Sequence, residues 1–267
     1  MLTITVTATS VEDPAISYSL TVTIIANAWT WVSGNNIREQ AGVYGTKGTA
    51  APSNVPGARS SAVSWIDSSG KLWLFGGDGP DSAGSLGYLN DLWKFNPATL
   101  AWTWVSGSNI REQAGVYGTK GTAAPSNVPG ARSAAVSWID SSGKLWLFGG
   151  YGDDSAGAWG CLNDLWKFDP ATLEWIWISG SNTVYQAGIY GTKGTAAPSN
   201  VPGAREGAVS WIDSSGRLWL FGGYGDDSAG ATGYLNDLWK FDPATLEWTW
   251  ISGSNTVYQA GIYGTKG

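Results

Sequence analysis

The chain has 267 residues, a net charge of −6, one cysteine and no histidine. Lysine and arginine are scattered singly, so no basic stripe is available to neutralise phosphates, which argues against nucleic acid and against an anionic membrane surface as partners. The lack of histidine removes the commonest general base and the commonest transition-metal ligand, and no stretch approaches the ~18 apolar residues of a membrane span.

Residues 2–9 and 18–25 alternate apolar side chains with Thr or Ser, as half-buried strands do, and a short polar segment joins them. They predict a β-hairpin over 1–27, with no basic start or continuous apolar centre that would make it a signal peptide. The hairpin is similar to the closing two strands of a bacterial immunoglobulin-like domain. Two strands alone do not make a sandwich core, so the reading leaves open a shortened domain or a hairpin packed on its neighbour.

From residue 28 onward the chain repeats. Lys71-Leu72-Trp73-Leu74-Phe75-Gly76-Gly77 returns at 144–150 and 217–223, always 73 residues on. The full units are 29–101, 102–174 and 175–247, with a partial copy at 248–267. With 38 glycines and 18 tryptophans in short aromatic and β-branched runs, the units read as strands joined by turns that stack to share a core. Within one unit the predicted strands are 61–66, 72–75 ended by the glycine pair, 89–95 and 102–105. Tight turns fall at 67–70 and 96–99, and a loop at 78–87. An orphan fourth strand is predicted at 29–32. The second strand is apolar on both faces, which implies burial on both sides, and a four-stranded antiparallel unit repeated radially is a β-propeller blade. The fold class is therefore all-β, with three complete blades where propellers typically have four to eight.

Arg59, the pair Gly76 and Gly77, the run Asn90-Asp91-Leu92-Trp93, and Trp102 together resemble the Kelch repeat of the galactose oxidase superfamily. The pattern recurs as Arg132, Gly149, Gly150, Asp164, Trp166 and Trp175, and as Arg205, Gly222, Gly223, Asp237, Trp239 and Trp248. The unit is longer than the ~50 residues usual for Kelch, and the excess lies mainly in 106–132 and its counterparts. The arginines and aspartates read as framework charges that pair within or between blades. Tyr44, Tyr117 and Tyr190 are expected to pin the long loop onto the adjacent blade, with sugar stacking as the other reading.

Short turns at one end of each blade leave both long loops at the opposite end, which is the expected binding face. The repeats differ mostly there: Asp78 becomes Tyr151, Pro80 becomes Asp153, Leu86 becomes Trp159, Tyr88 becomes Cys161, and 37–39 and 110–112 become Thr183-Val184-Tyr185. Tolerated drift and selection for a ligand both explain this. Candidate ligand-contacting residues are Tyr151, Asp153, Asp154, Trp159, Tyr185, Tyr224, Asp226 and Asp227. Asp153 and Asp154 also offer oxygen ligands to calcium, although no other metal and no cofactor is expected.

The resemblance implies the fold without the chemistry. A galactose oxidase copper site needs histidines, which the chain lacks. Ser64, Asp67, Gly70 and Trp73 imitate a sialidase box with the wrong spacing and without its three arginines. Carboxylate pairs for a glycosidase can be drawn only from adjacent loop aspartates. The expected function is non-catalytic recognition of a protein or carbohydrate outside the cell, the setting resting on the immunoglobulin-like resemblance; the alternative is an architectural spacer. With three blades the chain is expected to be an incomplete propeller, a piece of a longer protein, and the alternative is self-association of two chains into a six-bladed ring.

Overall fold

The computed structural model describes residues 2–9, 12, 13, 15, 17–24 and 29–265. The chain divides into two compact units, Met1–Ser33 and Gly34–Gly267. The first holds β1 (Leu2–Thr9) and β2 (Ser17–Ile24), antiparallel from Leu2 opposite Ile24 to Thr9 opposite Ser17. The predicted strand at 29–32 is not formed. Among the described residues no strand lies beside it to complete its hydrogen bonds, and Trp29 and Trp31 are exposed, the indole of Trp31 donating to the Ser33 carbonyl at 2.9 Å.

The second unit carries three blades and no helix among the described residues. Blade 1 is β3 (Val63–Ile66), β4 (Leu72–Pro80), β5 (Leu86–Asn96) and β6 (Ala101–Ser106), paired in that order and antiparallel throughout. Blade 2 splits the same path into a lower sheet, β8 (Val136–Ile139), β9 (Leu145–Phe148), β12 (Leu165–Asp169) and β13 (Glu174–Ser179), and an upper one, β7 (Arg132–Ser133), β10 (Tyr151–Asp153) and β11 (Trp159–Cys161). Blade 3 is β15 (Val209–Ile212), β16 (Leu218–Asp226), β17 (Thr232–Asp242) and β18 (Glu247–Ser252), with β14 (Arg205–Glu206) on the far half of β16.

Each first hairpin forms because an aspartate organises its turn. Asp67 Oδ1 accepts from the backbone N–H groups of Ser69 and Lys71, and its Oδ2 accepts from the Trp73 indole at 2.9 Å. Gly70 at φ 75° then takes the left-handed position that closes the turn. Asp140 and Asp213 repeat the arrangement.

In blade 2 the second strand, β9, ends at Phe148 just before the glycine pair, as expected, but in blades 1 and 3 it does not end there, which corrects the expected loop at 78–87. In blades 1 and 3 the strand passes through a bulge at the pair and runs on to Pro80 and Asp226. What was expected to be a loop is a hairpin whose turn is only 81–85. The pair has to be glycine. Gly76 and Gly77 sit at φ 65° and 101°, and a Cβ on either would lie 2.7 Å from a carbonyl oxygen, that of Arg132 and that of Ser60. Gly149 stands in the same relation to the Arg205 carbonyl.

The core lies between blades. Phe75 packs on Trp175 with ring centroids 5.4 Å apart and Trp73 on Phe168 at 5.6 Å; Phe148 on Trp248 and Trp146 on Phe241 repeat these contacts one joint later. Blade 2, covered on both sides, buries all four residues of β9.

The insertion at 107–131 is a strap that crosses from one blade to the next. It starts on its own blade, where the Asn109 carbonyl accepts from Ser82 N–H and Glu112 N–H donates to the Tyr88 carbonyl. It then reaches blade 2, where Gly121 N–H donates to the Trp177 carbonyl, and Lys120 donates to the Gly180 carbonyl while its ammonium lies 4.2 Å from the Trp177 ring centre. Tyr117 on the strap packs between Trp166 and Trp177 and donates its hydroxyl to Asp164 Oδ2 at 2.6 Å.

That aspartate is the node of the blade. Arg132 binds it with two parallel bonds of 2.6 and 2.8 Å, Trp166 adds an indole donor at 2.7 Å, and Arg132 also donates to the carbonyls of Gly130 and Gly149. Both charges are buried and multiply hydrogen-bonded, the condition under which a buried ion pair is tolerated. Arg59 with Asp91, Tyr44 and Trp93, and Arg205 with Asp237, Tyr190 and Trp239, are the same construction. Burial alone would raise the Asp237 carboxyl, but the Arg205 charge and the bonds from Arg205, Tyr190 and Trp239 outweigh it and hold the group below the ordinary carboxylate range.

Candidate functional site

The end of the blades opposite the Asp67-type turns is built from the tips of the second hairpins and the starts of the straps. Asp154 and Asp227, both expected as ligand contacts, cap the hairpin turns. Each is buried, its Oδ1 accepting from two backbone N–H groups, Ala156 and Ala158 or Ala229 and Ala231, while its Oδ2 takes an N–H from the strap, Val184 or Val257. Asp81 does the same in blade 1. These oxygens are already committed, and among the described residues no group of three or more Asp, Glu, Cys or His gathers to hold a metal. The calcium expectation at Asp153 and Asp154 therefore has no donor set behind it.

Asp153 and Asp226 are also buried, but each leaves its Oδ2 without a partner. Burial, joined by the charges of Glu112 and Asp154, pushes Asp153 up to about 6 against a bond from Trp159; burial raises Asp226 likewise, opposed by a 2.6 Å bond from the Thr232 hydroxyl. Trp159 is half exposed and stands directly across the hairpin from Asp153.

What reaches solvent at this end is a ridge of tyrosines. Tyr88 of blade 1 lies 5.8 Å from Tyr151 of blade 2, and Tyr151 hydrogen-bonds Tyr185 on the following strap. Tyr224, Tyr234 and Tyr258 continue it on blade 3, at 5.3 and 6.1 Å between successive rings. Glycines seat the strap side chains: a Cβ on Gly160 would lie 2.5 Å from the Tyr185 ring, and one on Gly233 equally close to Tyr258. Tyr185 is 50 % exposed and Tyr224 39 %. Tyr224 and Tyr234 stand at the rim of a groove of about 540 Å³ lined also by Glu206, Val209, Phe221 and Leu235.

Carboxylates flank the rings. Burial first, then the nearby charges of Asp78, Glu206 and Asp153, raises the Tyr88 phenol, and the bond with Tyr151 followed by burial pushes Tyr185 up to about 12. Tyr88 and Tyr185 therefore stay neutral donors at physiological pH. Glu206 is raised by burial. Cys161 is buried, its thiol pushed up to about 12 by burial and by the Glu206 and Asp226 charges, so it stays protonated at neutral pH. The ridge offers flat aromatic faces, phenol donors and acidic acceptors. Tyr88, Tyr234, Tyr258 and Glu206 were not among the expected contacts. Tyr88 and Tyr234 share the repeat position of Cys161, and that recurrence is the signal that points to them.

A family model, the KLHDC2/KLHL20/DRC7 Kelch-repeats domain, matches residues 46–188 and again 120–261. The chain belongs to this Kelch-repeat family. Kelch-repeat propellers commonly mediate binding, generally of protein partners, and are mostly non-catalytic. A curated relative, the Rho GTPase-activating protein gacHH of Dictyostelium discoideum, is 32 % identical over 118 residues, which is 43 % of this Kelch chain and 6 % of that protein. The chain thus spans a small fraction of the relative it matches. Among solved structures, that of YjhT aligns with a TM-score of 0.48 at 20 % identity, covering 75 % of this chain and 54 % of YjhT.

Proposed function

We propose that the chain is a non-catalytic recognition module whose tyrosine ridge binds a protein partner, presenting it with phenol donors and a fringe of carboxylates. The observation that carries this reading is that Tyr185, Tyr224, Tyr234 and Tyr258 leave large parts of their rings in solvent, where they contribute little to packing. A carbohydrate is the alternative ligand for the same surface, since rings and carboxylates also suit sugars. Against catalysis stands the commitment of Asp154 and Asp227 to turns, together with the buried thiol. An extracellular setting is part of the proposal, supported by the likeness of the β1–β2 hairpin to the end of an immunoglobulin-like domain; kinship with the wider galactose oxidase superfamily is proposed on the glycine pair and aromatic third strand.

The test is a screen of the intact chain on peptide and glycan arrays, repeated with Tyr185→Ala and Tyr224→Ala. Binding that disappears in the variants while the melting temperature holds supports the ridge. Absence of binding on both arrays favours the architectural spacer.

A further inference from the structure

Each joint between blades has an outgoing face on the earlier blade and an incoming face on the later one. The outgoing faces of blades 1 and 2 are closed: Phe75 and Phe148 are 1 % exposed, and Trp65 and Trp138 are both 4 % exposed. Their counterparts on blade 3, Phe221 and Trp211, are 42 % and 43 % exposed, with Val209 beside them. The incoming face shows the converse. Leu145 and Leu218 are fully buried on blades 2 and 3, whereas Leu72 of blade 1 is 37 % exposed, and Trp102 is only half-buried where Trp175 and Trp248 are fully covered.

The two open faces are complementary, because the chain contains their closed form twice. The residues that cover an outgoing face are a Leu-x-Leu strand, a Phe and a Trp: Leu145, Leu147, Phe168 and Trp175 at the first joint, Leu218, Leu220, Phe241 and Trp248 at the second. Blade 1 has the same set in Leu72, Leu74, Phe95 and Trp102. The backbone matches as well. Ala134 N–H donates to the Ser61 carbonyl and Gly207 N–H to the Ala134 carbonyl, so each blade presents the acceptor that the next one uses.

We propose that the outgoing face of blade 3 docks onto the incoming face of blade 1 of a second copy of this chain, two such joints closing a six-bladed ring. Phe221 then meets Trp102 of the second copy as Phe75 meets Trp175, and Trp219 meets its Phe95 as Trp73 meets Phe168. The joint is heterologous, so a pair related by a two-fold axis satisfies both open faces of both copies and leaves none for further growth. Six blades fall within the four to eight that propellers use.

Light scattering across a dilution series of the intact chain tests this. A mass of twice the chain is expected; a monomer throughout, or mass that grows without limit, overturns the closed pair. Two variants separate the faces. Phe221→Asp disables the outgoing face and Leu72→Asp the incoming one, each at a position already open to solvent, and circular dichroism and melting temperature establish that each folds. Each alone should be monomeric, with dissociation raised at least roughly thirtyfold by a charge placed in the joint. Mixed together they retain one intact joint and should form a one-to-one heterodimer weaker than the parent pair. Variants that stay dimeric alone, or a mixture that stays monomeric with both partners folded, overturn the proposal.

Discussion

Asp153 and Trp159 face each other across the second hairpin of blade 2, and the two positions change together from blade to blade. Pro80 stands opposite Leu86, and Asp226 opposite Thr232. Where the carboxylate is present its neighbour is a hydrogen-bond donor, and where it is absent both residues are apolar. The variation at Trp159 is thus tied first to its own hairpin.

Replacing Asp153 by Asn should stabilise the protein at pH 7 to 8 by roughly 1–2 kcal/mol, because the buried and unpartnered Oδ2 carries charge there. The folded-state value of about 6 lies above that of the unfolded chain, so the stability this group contributes is complete below about pH 4 and is lost as pH rises through 6. Thermal melts of the variant and the parent should converge near pH 4 and separate above pH 6.

Asp237 gives the opposite slope. Its folded value is depressed, so its contribution is present above about pH 4 and is lost as pH falls through the lower folded value. Together with the raised Asp153, Asp226 and Glu206, this places the maximum of melting temperature between about pH 4 and pH 5. A maximum above pH 7 in a buffer-matched melting series would refute it.

Arg132→Leu should cost about 3–5 kcal/mol, since it leaves the Asp164 carboxylate buried with only its Tyr117 and Trp166 donors. An unchanged melting temperature would sink this reading. Tyr117→Phe removes one of four donors and should cost about 1–2 kcal/mol, with a double-mutant cycle showing coupling to Arg132.

Gly149→Ala and Gly222→Ala separate local strain from blade approach. Both residues sit at φ 64°, but only Gly149 has a carbonyl from the next blade, that of Arg205, at 2.7 Å from the added Cβ. Left-handed strain should cost both variants about 1 kcal/mol, with a further loss of similar size or more for Gly149→Ala alone. Chemical denaturation at concentrations where the chain is monomeric reads the difference.

The architecture was legible because its causes are local and repeated. The turn at 67–70 is written in Asp and Gly, and Leu-Trp-Leu-Phe is apolar on both faces only if blades cover it twice. The passage of β4 through Gly76 and Gly77 was not legible, since a glycine pair reads as a terminator until the carbonyls of Arg132 and Ser60 that press on it are known. At the functional end, the aspartates drew attention through their charge, yet Asp154 and Asp227 are consumed by their own turns. Tyr88 and Tyr151 meet only through the joint between two blades, a distance that no spacing along one chain encodes.

The sequence unit and the blade are out of step. Trp102 and Trp175 open their repeats in sequence, yet they lie on β6 and β13, the last strands of the preceding blades. A chain stretched from its two ends cannot let blades go one by one at the repeat boundaries. Tension reaching Trp102 must unzip β6 from β5, and Ala51 with it, before the next strap is loaded. Offset joints of this kind distribute mechanical force as staggered seams do in masonry, so the array should rupture in events larger than a single hairpin.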